Sequence, residues 1–298
     1  MPENRIDVNG KNPSKMAENI AIHRFAESAK PEGERICYDP YAIHFLDPET
    51  LKLLKLLRDN PELAKKNAKE AEELFPGFTN SIITRIRYFD DFVKESLNEG
   101  IEQIVILGAG YDTKAYRIGG LNNIKVFEVD HPDTQSFKIQ KIEEIFGSVP
   151  DHVVYVPVDF EKETLDQKLF DNGYDLSKKT LFVMEGLIMY ILPESVDRIL
   201  SFIVENSPKG SIVLFDYVHE SIVDKTCELG KNLQNYTEER REPLQFGLKE
   251  NIIEDYLKER GFSNIINITG DDYKAYFEGR DYGLVCNLLY FVHATVSK

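Results

Sequence analysis

The stretch IVILGAGYDTKAYRI, Ile104 to Ile118, decides how the rest of the chain is read. Four apolar residues run into Gly108-Ala109-Gly110, and a helix-like segment follows. A buried strand that ends in a tight, ligand-facing turn has this form. A dinucleotide seat needs G-x-G-x-x-G, whose third glycine allows close helix–strand contact. Here the frame is Gly108, Ala109, Gly110, Tyr111, Asp112, Thr113, so the third position is threonine. The turn speaks against a pyrophosphate and so against an NAD-dependent oxidoreductase, for which an adjacent acid–base pair is also missing.

Working outward, four more apolar runs follow the first: 124–130 (IKVFEVD), 153–160 (VVYVPVDF), 180–186 (TLFVMEG) and 211–217 (SIVLFDY). Nearly continuous apolarity means burial on both faces, as in a parallel sheet. Between the last two, 192–210 carries helix signals: an early proline, acids in the first turn, and Ile199, Phe202 and Ile203 on one face. The alternation predicts a doubly wound α/β sheet. The tail breaks it. Residues 249–262 read as a helix, 264–269 as a strand and 283–296 as a long final strand. The two strands are expected to pair antiparallel despite the long connection 270–282, which gives seven strands in all.

The expectation is one domain over 1–298. It comprises a charged helical N-terminal lid (1–80), a core (81–217), a substrate-cap insertion after strand five (218–248), and a C-terminal helix and hairpin (249–298).

The strand ends carry the chemistry. Strand two closes with Glu128 and Asp130, about 20 residues after the turn, where a carboxylate can accept both hydroxyls of a ribose. Asp130 is the better placed; alternation sets Glu128 on the same face but deeper. Strand three closes with Asp159 and Phe160, suited to an amino group and a ring. Glu185 follows strand four, next to buried strand, where a carboxylate needs a partner. Upstream, TRIRYFDDFVKESL (84–97) is an amphipathic helix that offers Arg85 and Arg87 near the turn. Guanidinium grips a carboxylate bidentately, although Arg87 has Asp90 and Asp91 close by.

Composition narrows the field. The net charge is −15, which disfavours nucleic acid and anionic membranes as partners. Three scattered cysteines show no ligand spacing, so no metal site is expected, and they point to a reducing compartment. The polar N-terminus lacks a signal-peptide core, and no apolar run is long enough to span a bilayer, so a cytoplasmic protein is expected.

The stretches TRIRYFDD, ILGAGYDTKAYR, VFEVDHP, VPVDF and EGLIMYI resemble, in order and spacing, the leucine carboxyl methyltransferase family. The resemblance implies a seven-stranded class I methyltransferase (Rossmann-like) sheet with an antiparallel last strand, and S-adenosyl-L-methionine as cofactor. It implies that Arg85 holds the methionine carboxylate, Gly108 and Gly110 form the turn beneath the methionine part, and Asp130 binds the ribose. It sets Asp159 and Phe160 beside the adenine and makes Glu185 face the cofactor. Arg35 and Tyr38 would belong to the lid. The implied activity is O-methylation, of a carboxylate or hydroxyl on a small molecule or peptide end. The alternative is a catalytically silent binding protein of the same fold. Since a carboxylate acceptor needs no base and a hydroxyl usually does, Tyr217 and His219 after strand five are the catalytic candidates. His131 and Tyr190 are further candidates for lining the pocket.

Overall fold

The structure, a computed structural model, describes residues 13–277 and 283–297. The first twelve residues of the expected lid and part of the 270–282 connection lie outside them. The N-terminal third is helical: α1 (Lys15–Ser28), α2 (Pro48–Asp59), α3 (Pro61–Leu74) and α4 (Phe78–Asn98). The stretch 48–75 forms two helices, because Pro61 has no N–H to donate and starts a new helix.

Then strands and helices alternate. β1 (Gln103–Leu107) leads through the glycine turn into a single helical turn, α5 (Lys114–Arg117). There follow β2 (Lys125–Asp130), α6 (Pro132–Phe146), β3 (Val153–Pro157), α7 (Leu165–Asp171), β4 (Thr180–Met184), α8 (Pro193–Glu205) and β5 (Ile212–Val218). The insertion forms α9 (Glu220–Val223) and α10 (Glu228–Glu238), and the tail α11 (Ile253–Glu259), β6 (Phe262–Ile268), α12 (Gly270–Tyr273) and β7 (Leu289–Val296). The long connection thus carries the short α12, held by a capping box from Thr269 and Asp272. No described helix is long and apolar enough to cross a membrane.

The described strands make one sheet in the order β3-β2-β1-β4-β5-β7-β6. The first five are parallel, and β7 lies antiparallel between β5 and β6. Each face buries a separate apolar cluster. α8 packs on one face through Val196, Ile199, Leu200 and Ile203. α4 packs on the other through Ile82, Ile83, Ile86, Phe89 and Val93. Period-two alternation sorts each strand between them: Phe215 and Tyr217 face α8, while Leu214 and Val218 face α4.

Candidate active site

β1 lies between β2 and β4, from which the chain continues to opposite sides of the sheet. Beyond such a switch point the carboxyl strand ends leave a crevice. A cavity of about 600 Å³ occupies it. Its floor is the glycine turn and the loop after β4, and its roof is α1, the start of α4 and α10.

The turn needs both glycines for steric reasons. Gly108 sits at φ +65° and Gly110 at φ +42°, in the left-handed region. A Cβ on Gly108 would come within 2.8 Å of Leu187, and one on Gly110 within 3.2 Å of the Ala17 methyl on α1. The second glycine therefore lets the lid helix close onto the turn. Asp130 braces it: the carboxylate accepts the Gly110 N–H, and the His131 N–H at 2.6 Å. Burial raises its pKa against the pull of these two donors.

Beside the turn lies a buried charge cluster. Arg85, on α4, donates from Nη1 to Asp216 at 2.7 Å, and its Nε lies 3.4 Å from Glu185 Oε1. Burial opposes the Arg85 charge, but Asp216 and Glu185 outweigh it and raise its pKa. Asp216 also accepts the Gly186 N–H at 2.6 Å, which shapes the loop after β4. Lys114, wholly buried, donates to Glu185 and, at 2.8 Å, to Asp112. For Glu185, burial is outweighed by Lys114 and Arg85, which hold its pKa below the usual carboxylate range.

Two atoms stand out. Arg85 Nε and Glu185 Oε1 are buried and make no hydrogen bond among the described residues. They are a donor and an acceptor side by side, on residues that both line the cavity. Such orphans cost free energy unless a ligand satisfies them. The amino-acid end of S-adenosylmethionine has the complementary pair, a carboxylate for the arginine and an ammonium for the glutamate. The residues present fit that cofactor.

The cavity brings together Arg85, Gly108, Gly110, Asp130 and Glu185, together with His131 and Tyr190. Asp159 and Phe160 are not among its lining residues. Asp159 pairs with Lys162 at 2.6 Å, and Phe160 packs against the α8-side core. Tyr217 and His219 are not among the cavity's lining residues either. Tyr217 faces α8, stacks on Tyr290 and bonds Asn267 at 3.1 Å. His219 caps α9 and lines a separate cleft beside Lys249 and Asn267. Glu128 is deeper than Asp130, paired with Lys138 at 2.7 Å, and burial lifts its pKa to about 7. Arg87 bonds Asp91 at 2.5 Å on the surface, and Arg35 stacks over Tyr38 at 3.8 Å.

Three contributors escaped the sequence reading. Asp216 precedes Tyr217, and strand period alone would have put it on the α4 face. Lys114 had no signal beyond its position after the turn. In the lid, Met16, Ile20 and His23 line the cavity at helical spacing, a pattern readable in advance. Burial and the Arg85 charge lower the pKa of His23 to about 4, so its ring is neutral.

The N-terminus of α1 is tied to the insertion after β5 by one carboxylate. Glu242 accepts from Ser14 Oγ at 2.7 Å, Lys15 N at 2.8 Å and Met16 N at 3.0 Å. It satisfies donors at the α1 N-terminus from 226 residues away. Glu242→Ala should cost about 1.5–3 kcal/mol, the scale of charge-assisted bonds. Hydrogen exchange should then accelerate in α1 and not in α8. Uniform acceleration across both helices would show that the contact is not a local tie.

The family model for leucine carboxyl methyltransferase matches residues 17–204. A Bacillus subtilis (strain 168) relative, "Putative S-adenosyl-L-methionine-dependent methyltransferase YktD", is 27% identical over 84% of this chain and 85% of its own. A Mycobacterium avium (strain 104) relative, also named "Putative S-adenosyl-L-methionine-dependent methyltransferase", is 33% identical over 64% of this chain, which spans 63% of that relative's length. In fold, the chain is similar to a DUF574 family protein from Streptomyces avermitilis MA-4680, with TM-score 0.58 and 15% identity over 93% of this chain and 96% of that one. A structure titled as a "putative methyltransferase" from Thermobifida fusca YX aligns with TM-score 0.55 and 16% identity, over 78% and 88% of the two chains. The match of the family model over more than half the sequence places the relation beyond the shared fold: the chain belongs to the leucine carboxyl methyltransferase family.

Proposed function

We propose that this S-adenosylmethionine-dependent methyltransferase methylates an oxygen, a carboxylate or hydroxyl on a small molecule or peptide end. One observation carries the reading: Arg85 and Glu185, whose Nε and Oε1 make no hydrogen bond among the described residues, line one cavity with the glycine turn and Asp130.

When bound, S-adenosylmethionine supplies an electrophilic methyl on a cationic sulfur, and the protein's task is to align the partners and exclude water. Arg85 and Glu185 would hold the amino-acid end and Asp130 the ribose hydroxyls. Residues 13–80 serve as lid and 218–248 as acceptor cap, with Glu242 joining them. Part of the cavity wall is apolar, with Phe75, Phe78, Met189, Leu233 and Leu244. Two of its ionisable groups are poorly suited to take a proton. Burial raises the pKa of Tyr190 above that of an ordinary tyrosine, and the depressed pKa of His23 makes it a weak base. An acceptor already ionised near neutral pH suits such a site best, and carboxylates ionise near 4.

Calorimetry with S-adenosylmethionine, S-adenosylhomocysteine and NAD tests the first step. Binding of the two sulfur ligands and not of NAD is expected; the reverse would refute the assignment. Labelled-methyl transfer to a metabolite and peptide pool then identifies the product. A methyl ester is released by mild base, whereas a base-stable ether would show a hydroxyl acceptor.

A further inference from the structure

The cavity mouth carries two charges that the cofactor does not explain. The protein has 51 acids against 36 lysines and arginines. Arg24, Arg58, Arg85, Arg87, Arg117 and Arg260 each pair with a carboxylate. Arg240 and Arg241, adjacent in sequence and both on the cavity wall, pair with none among the described residues. Nearby acids are committed or solvated: Glu238 binds Lys225 at 2.8 Å, Glu242 binds the α1 N-terminus, and Glu239 is exposed.

The side chain of Arg240 and the backbone of Arg241 are preorganised. The Arg240 guanidinium lies 3.4 Å from the centre of the Tyr236 ring and donates from Nη1 to the Tyr236 carbonyl at 2.8 Å. That fixes its plane. Arg241 sits at φ +63°; of the three described non-glycine residues with positive φ, it alone lines the cavity. Such strain persists where the surroundings over-determine the backbone, and it concentrates at ligand clamps. This loop is clamped on both sides. Gln234 donates to the Leu244 carbonyl at 2.8 Å and accepts the Leu244 N–H at 3.2 Å. Gln245 donates to the Tyr190 carbonyl at 2.7 Å. Just inside, Tyr236 meets Phe75 edge to face at 5.5 Å, and the wall turns apolar.

We propose that Arg240 and Arg241 form an anchor for an oxyanion, carboxylate or phosphate. The acceptor would carry it at the end remote from the oxygen that is methylated, with an apolar body between. The proposal rests on reading the cavity as a donor–acceptor site. A protein of charge −15 repels anions at a distance, so an anionic substrate needs local cations at the entrance. Guanidinium groups with free N–H edges bind carboxylate and phosphate oxygens bidentately.

The test is calorimetric titration of the S-adenosylhomocysteine-saturated protein. The probes are 3-phenylpropanoate, 3-phenylpropyl phosphate and 3-phenylpropanol, together with the three 6-phenylhexyl counterparts. At least one anion should bind about tenfold or more tightly than its alcohol, and about 0.5 M salt should shrink that preference. Comparing carboxylate with phosphate identifies the oxyanion. In the double variant Arg240→Ala, Arg241→Gly the preference should fall below about threefold. Glycine suits the left-handed backbone at 241, so the loop keeps its path. Equal binding of alcohols and anions, a preference that survives the double variant, or no binding of any probe would each overturn the anchor. Failure of S-adenosylhomocysteine to bind the wild type would instead remove the methyltransferase reading itself.

Discussion

Lys114→Met should destabilise the protein by about 3–5 kcal/mol, the cost of removing one partner from a buried ion pair. The methionine fills the volume but leaves Asp112 without its 2.8 Å partner and Glu185 without its closest cation. Both carboxylates are largely buried: their side chains are each 5% exposed, and that of Lys114 is 0%. In the wild type, Lys114 heads the charges that override burial and hold both carboxyls below their usual range. A depressed acid contributes stability that is present above its unfolded pKa and lost as pH falls through its folded pKa. The variant forfeits that contribution and pushes both carboxyls upward. The deficit should therefore be largest near pH 7 and narrow toward about pH 5, as the unpaired carboxylates of the variant take up protons. Urea unfolding of both proteins at the two pH values measures this. A deficit below about 1 kcal/mol, or one equal at both, would show that the cluster is more solvated than its geometry implies.

The same cluster shows what the sequence could disclose. Strand ends were legible, because a continuous apolar run that stops at an acid or a glycine marks both the strand and the place where its end meets the crevice. Gly108, Asp130 and Glu185 all came from that rule, and all three line the cavity. Side-chain direction follows the strand period: Asp216, one residue before the candidate Tyr217 and on the opposite face, is the one that meets Arg85. Asp159 is placed differently. It lies just past β3, an edge strand, and pairs with Lys162 three residues on, a local option that no pattern ranks against a distant ligand. The tie from Glu242 to α1 was out of reach. A carboxylate that caps a helix 226 residues away leaves no trace in local spacing, and only the assembled fold brings the two together.

Arg85 is the position where stability and recognition are hardest to separate, and a paired substitution separates them. Arg85→Met alone should cost about 3–5 kcal/mol, since it leaves Asp216 as a buried carboxylate without its cation. Burial already raises the Asp216 pKa in the presence of Arg85, so the lone acid is poorly tolerated. Replacing both, as Arg85→Met with Asp216→Leu, removes two opposite charges together. Well-packed apolar substitutes for a buried pair are often neutral or stabilising, so much of the lost stability should return, less the cost of leaving the Gly186 N–H without its acceptor. Affinity for S-adenosylhomocysteine should not return with it, because the free Nε beside Glu185 is gone in both variants. The double variant should still bind at least about a hundredfold more weakly than wild type, which corresponds to roughly 2.7 kcal/mol. It should also no longer distinguish S-adenosylhomocysteine from an analogue lacking the amino-acid carboxylate. Arg87→Ala is the control. Its guanidinium is on the surface with Asp91, so stability and affinity should change by less than about 1 kcal/mol. If the double variant recovered affinity together with stability, Arg85 would be a buried counter-ion for Asp216 and not the grip on the carboxylate. Glu185, which lines the same cavity, would then be left to hold the amino-acid end through its ammonium group alone.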